Sequence, residues 1–119
     1  MLKYICRDIN SISETLLYLK ENAKYFLWKL EIPYNNDYSF IVIHHLKTIR
    51  KGGPCYFDLY VYSKEKYEYD ISHDTVCAWP GCINLFEHGF PNQVKDTIEQ
   101  YSNLDKIKSL FEKGVQYAG

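Results

Sequence analysis

This sequence has no long apolar run and almost no net charge. No stretch approaches the ~20 consecutive apolar residues that a membrane-spanning helix needs, so no membrane partner is expected. The 14 basic and 15 acidic residues leave a formal charge of −1. Neither long-range attraction to a polyphosphate nor the strong negative charge of a nucleic-acid mimic is built in. Lys3 and Arg7 lie near the start, but no apolar stretch leads from them to a small-residue cleavage site, so no export signal is expected. The four cysteines, Cys6, Cys55, Cys77 and Cys82, are then expected as reduced thiols in the cytoplasm. Alanine is scarce, and no catalytic signature or internal repeat is present.

What the chain does have is aromatic surface. There are 12 tyrosines in 119 residues, and 46% of the sequence is hydrophobic, enough for one self-supporting domain over residues 1–119. Tyrosine combines broad, stiff contact area with a polar tip, so its placement carries the functional information.

The hydrophobic periods predict an α+β fold: an antiparallel meander of four to five strands, with an N-terminal helix and two C-terminal helices. Leu2–Cys6 reads as a short strand. Ser11 and Glu14 have capping-box spacing ahead of a helix over Ile12–Asn22, with Ile12, Leu16 and Leu19 on its apolar face. Tyr25–Ile32 switches to period two, placing Phe26, Trp28, Leu30 and Ile32 on one face. Pro33 stops that strand, and Tyr34–Asp37 is turn chemistry. Tyr38–Leu46 is apolar on both faces and predicts a central strand. Cys55–Tyr62, Tyr67–Ile71 and Thr75–Trp79 are the remaining candidate strands, broken by Gly52-Gly53-Pro54, Ser63–Lys66 and Pro80-Gly81. Pro91 suits a first helical turn before Val94, Ile98 and Tyr101. Asn103 caps a last helix with Leu104, Ile107, Leu110 and Phe111 in its stripe, and Gly114 is a suitable stop.

The stretch from Tyr56 to Tyr62 is the most informative. Phe57, Leu59 and Val61 share one face, while Tyr56, Asp58, Tyr60 and Tyr62 share the other. Tyr67 and Tyr69 add rings nearby, and Glu68 and Asp70 add acid. Helices on one side of the sheet would leave this second face free. An exposed face of Tyr56, Asp58, Tyr60, Tyr62, Tyr67, Glu68, Tyr69 and Asp70 suits a protein with a basic surface, such as a nuclease or toxin. A second copy of the chain is a further candidate for the same face.

Other constellations point elsewhere. His73, Cys77, Cys82 and His88 are ligand types that zinc prefers and are numerous enough for a tetrahedral site, although their spacings miss the two-residue knuckle. A nucleophilic cysteine would need a nearby base, yet no family signature surrounds any of the four. His44 and His45, adjacent on a strand, point to opposite faces; at least one is expected in the core or an interface. Glu68 and Asp70 read as charges blunting a sheet edge rather than a hydrolytic pair. Lys47, Arg50 and Lys51 beside Gly52-Gly53 form one basic knot without P-loop spacing, and it leads into a strand rather than a helix.

The resulting expectation is a non-catalytic module, not an enzyme, that inhibits or neutralises a protein by occluding a basic functional surface. In size, in lacking a catalytic signature and in placing tyrosine with acid on a sheet, the chain resembles small accessory proteins of bacteria and their phages. Immunity proteins that neutralise toxins and inhibitors of defence nucleases are of this kind. The alternatives are a small zinc-binding protein using His73, Cys77, Cys82 and His88, and a nucleic-acid-binding accessory protein using the Lys47–Lys51 loop. Direct nucleic-acid binding is disfavoured by the balanced charge.

Overall fold

A computed structural model describes residues 2–22, 28–44, 56–64 and 82–112. The chain runs β1 (Leu2–Ile5), α1 (Ile12–Asn22), β2 (Trp28–Pro33), β3 (Tyr38–His44), β4 (Phe57–Ser63), β5 (Cys82–Gly89), α2 (Pro91–Gln100) and α3 (Leu104–Glu112). The five strands form one sheet in the order β1-β2-β3-β4-β5. The fold is α+β, with a mostly antiparallel sheet, one N-terminal helix and two C-terminal helices. Among the described residues, no helix is long and apolar enough to cross a membrane.

One pair departs from the expected meander. β1 and β2 are parallel, with Leu2 opposite Trp28 and Ile5 opposite Glu31. The reason is α1, which lies between them in sequence and returns the chain to the starting end of the sheet; a tight hairpin permits only antiparallel pairing. A single 3-10 turn over Ile9–Ser11 leads into α1. Its cap is Asp8, whose carboxylate accepts the Asn10 N–H at 3.0 Å. Ser11, which immediately precedes α1, donates its hydroxyl to the Asp8 carbonyl at 2.9 Å.

The helices cover one face of the sheet. Ile12, Leu16 and Leu19 of α1, Val94 and Ile98 of α2, and Ile107 and Phe111 of α3 share a core with the strands. The strands contribute Trp28, Leu30, Ile32, Phe40, Val42, Phe57, Leu59, Val61 and Ile83. Alternation puts those strand residues on a common side. Tyr38 stacks on Phe111 with ring centroids 5.6 Å apart, fixing the last helix against β3. Full burial of residues of this size contributes about 1.5–3 kcal/mol each relative to exposure. β3 is central and buried on both sides, as its apolar composition predicted: Phe40 and Val42 face the helices, while Ser39 and Ile41 are buried opposite.

β5 was not foreseen, because its sequence does not alternate. Along β4, Leu59 lies two steps from Phe57, yet their partners Phe86 and Gly89 are three steps apart. Tyr60 is one step beyond Leu59, yet its partner Asn84 is two steps beyond Phe86. Each mismatch is a β-bulge, and each resets the period of two. Asn84 holds this irregular region: its amide donates to the Leu59 carbonyl at 3.2 Å and the Phe86 carbonyl at 3.1 Å. The candidate strands Tyr67–Ile71 and Thr75–Trp79 lie outside the described residues.

Candidate binding surface

The first candidate is the tyrosine face of β4. Phe57, Leu59 and Val61 point into the helix-covered core, as their period demands. The opposite side is not open to water: Asp58, Tyr60 and Tyr62 are buried, with Tyr60 only 3% exposed. Lys29, Glu31, Ser39, Ile41 and Cys82 are buried as well, and register places them on the same side as Tyr60 and Tyr62. The expectation of an outward Asp58–Tyr60–Tyr62 surface is therefore corrected.

The physical reason is that these polar groups have internal partners. Burying a lone carboxylate would cost several kcal/mol, but Glu31 is not alone. Its Oε2 accepts the Ser39 hydroxyl at 2.7 Å and the Tyr62 hydroxyl at 3.4 Å, with Lys64 Nζ at 4.0 Å. Asp58 Oδ1 accepts the backbone N–H of His88 at 3.2 Å. Burial, followed by the adjacent negative charge of Glu31, pushes the Tyr62 phenol up to about 12.

The proposed zinc set is not assembled. Cys82 opens β5, opposite Tyr62 and buried, whereas His88 is exposed at the other end, beside Gly89. Six residue steps along the strand separate them by on the order of 15–20 Å, while zinc draws its ligands to about 2.0–2.3 Å. One ion cannot bind both. Among the described residues no group of three or more His, Cys, Asp or Glu side chains can hold a metal. His73 and Cys77 lie outside the described residues, as do Tyr67, Glu68, Tyr69, Asp70, His45, Lys47, Arg50 and Lys51. Cys6 and Cys82 are both buried.

His44 takes the core role anticipated for one of the two adjacent histidines. Its ring is buried and stacked on Trp28 at 5.9 Å with an interplanar angle of 16°, and it also packs against Phe57 at 5.6 Å. These three residues sit at neighbouring register positions on β2, β3 and β4, so cross-strand pairing builds the aromatic row.

The same end of the sheet carries an exposed aromatic cluster. Half-buried Tyr56 makes edge-to-face contacts with Phe90 at 5.0 Å and His88 at 6.0 Å. Phe90 is 52% exposed, yet its backbone is tightly held. Its N–H donates to Gln93 Oε1 at 2.9 Å, and its carbonyl accepts the Val94 N–H at 3.1 Å. Pro91 then opens α2 with its φ already suited to a helix. His88 has φ 60°, the left-handed region. Gly89 is buried, and a Cβ there would overlap the Phe86 ring. Sequence reasoning found Tyr56 but missed Phe90. The available signal was His88-Gly89-Phe90-Pro91, an aromatic residue between a turn glycine and a helix-opening proline.

A concavity lies between α2 and α3. It is an open groove of about 400 Å³ lined by Gln100, Tyr101, Asp105, Lys106, Ser109 and Leu110. None of these side chains is buried, and Lys106 Nζ is engaged with the Gln100 carbonyl at 3.2 Å. A selective small-molecule site needs converging, desolvated polar groups, and this groove has none. No protein-family profile, curated protein or solved structure matches the chain.

Proposed function

We propose that this protein is a non-catalytic binding module that inhibits a protein partner by covering its surface, with the Tyr56–His88–Phe90 corner as the anchor. The observation that carries this reading is the exposure of Phe90 on a backbone hydrogen-bonded on both sides. An exposed phenylalanine contributes nothing to the core here, whereas on a partner it supplies a large apolar area. Because its backbone is already ordered, little further entropy is lost on docking. Buried aromatic anchors of this kind dominate protein interfaces. The Asp58 carboxylate is turned inward and is not part of this anchor.

The test is affinity capture from host lysate with the wild-type chain and with F90A and Y56A, followed by titration of the proteins retained. Loss of about 2 kcal/mol of binding energy in F90A, at unchanged melting temperature, is the expected result for a hot spot. Equal binding by all three proteins would remove this corner from the interface.

A further inference from the structure

We propose that Asp58 is the positioning residue of the aromatic corner: by accepting the His88 N–H, it holds the left-handed turn that sets the direction of Phe90. This inference rests on the protein-binding reading above. Three observations meet at this point. His88 adopts φ 60°, which costs a non-glycine residue backbone energy and persists only where surroundings enforce it. Its N–H is bound by Asp58 Oδ1 at 3.2 Å. The β4–β5 register shifts between Phe57 and Leu59, across the bulge that contains His88.

The chemistry favours a carboxylate in this role. In a regular ladder the strand backbone itself accepts its neighbour's N–H; the bulge takes His88 out of register, and a side-chain oxygen from β4 replaces the missing acceptor. A charged acceptor makes a stronger hydrogen bond than a neutral one. Two residues beyond His88 the chain reaches Phe90, and Gly89 between them lies too close to the Phe86 ring for a side chain. The direction of Phe90 is thus set on one side by the Asp58 bond and on the other by Gln93. Asp58 does not touch the partner; it acts through His88.

The experiment compares wild type, D58N, D58A, H88G and D58A/H88G by NMR and by binding to the partner that wild type captures. In D58A, amide exchange at His88 should accelerate at least tenfold, and the ring-current shifts between Tyr56 and Phe90 should change. D58N retains a side-chain oxygen acceptor and should preserve both signals. Glycine enters the left-handed region without assistance, so D58A/H88G should recover the Tyr56–Phe90 shifts and the affinity lost in D58A. If D58A does not fold, recovery of the fold in D58A/H88G supports the proposal and failure to recover overturns it. Unchanged His88 exchange and unchanged ring shifts in folded D58A also overturn it. If F90A and Y56A bind as wild type does while D58A still perturbs the corner, the binding reading fails and the positioning role stands.

Discussion

The phenol of Tyr62 donates its hydrogen to Glu31 across the β3 strand, on the sheet face opposite the helices, at 3.4 Å. Burial and the Glu31 charge raise its pKa from 10.0 to about 12, so the folded protein favours the neutral phenol more than the unfolded chain does. Stability from this group is complete below pH 10 and is lost as pH rises through 10 to 12. Urea unfolding at about pH 9 and about pH 11 should show a larger loss for wild type than for Y62F, since the phenylalanine variant has no proton to lose at this position. Parallel losses in the two proteins would show that the Tyr62 phenol is not under this field.

Ser39 shares the same carboxylate oxygen at 2.7 Å. E31A removes the acceptor from two buried hydroxyls and should cost about 2–4 kcal/mol. E31Q keeps shape and acceptor but loses the charge, and should cost about half as much. A double-mutant cycle of E31A with S39A should give a coupling of ~1–2 kcal/mol, because one partner already lacks its bond once the other is gone. Additive losses would mean that the 2.7 Å contact is energetically silent.

These buried pairs also explain what the sequence could not disclose. Ile12, Leu16 and Leu19 recur at helical spacing, and Phe57, Leu59 and Val61 alternate strictly, so α1 and the inner face of β4 were legible from apolar period alone. Lys29, Glu31, Asp58, Tyr60 and Tyr62 have the chemistry of a wet surface. Only three-dimensional partners such as Ser39 Oγ and the His88 N–H make burial of the carboxylates tolerable, and sequence spacing does not reveal them. β5 was illegible for a different reason, since two bulges within eight residues erase its alternation. The corner around Phe90 was not legible because Phe90 lies between β5 and α2, outside the period of either element.

Gly89 should be intolerant of substitution for a steric reason. It lies opposite Phe57, and an added Cβ meets the Phe86 ring rather than solvent. G89A should lose about 1–3 kcal/mol, as overpacking does. Removing the obstructing ring should return part of that loss, so G89A/F86A should be more stable than the sum of the single variants allows. Chemical denaturation of the four proteins checks this. Strict additivity would show that the Phe86 ring moves aside freely and is not the obstacle.

His88 tests backbone rather than side-chain chemistry. At φ 60° a β-branched residue is strongly disfavoured, while glycine is at ease. H88G gains the relief of left-handed strain and loses backbone entropy in comparable amounts, so its stability should remain within about 1 kcal/mol of wild type. H88V carries the strain without compensation and should fall a further ~1–2 kcal/mol, which for a chain of this size lowers the melting temperature by roughly 3–8 °C. Thermal unfolding followed by circular dichroism separates the two. If H88V melts with H88G, the bulge has relaxed to an ordinary strand conformation, and the left-handed turn is not what fixes the exit toward Phe90.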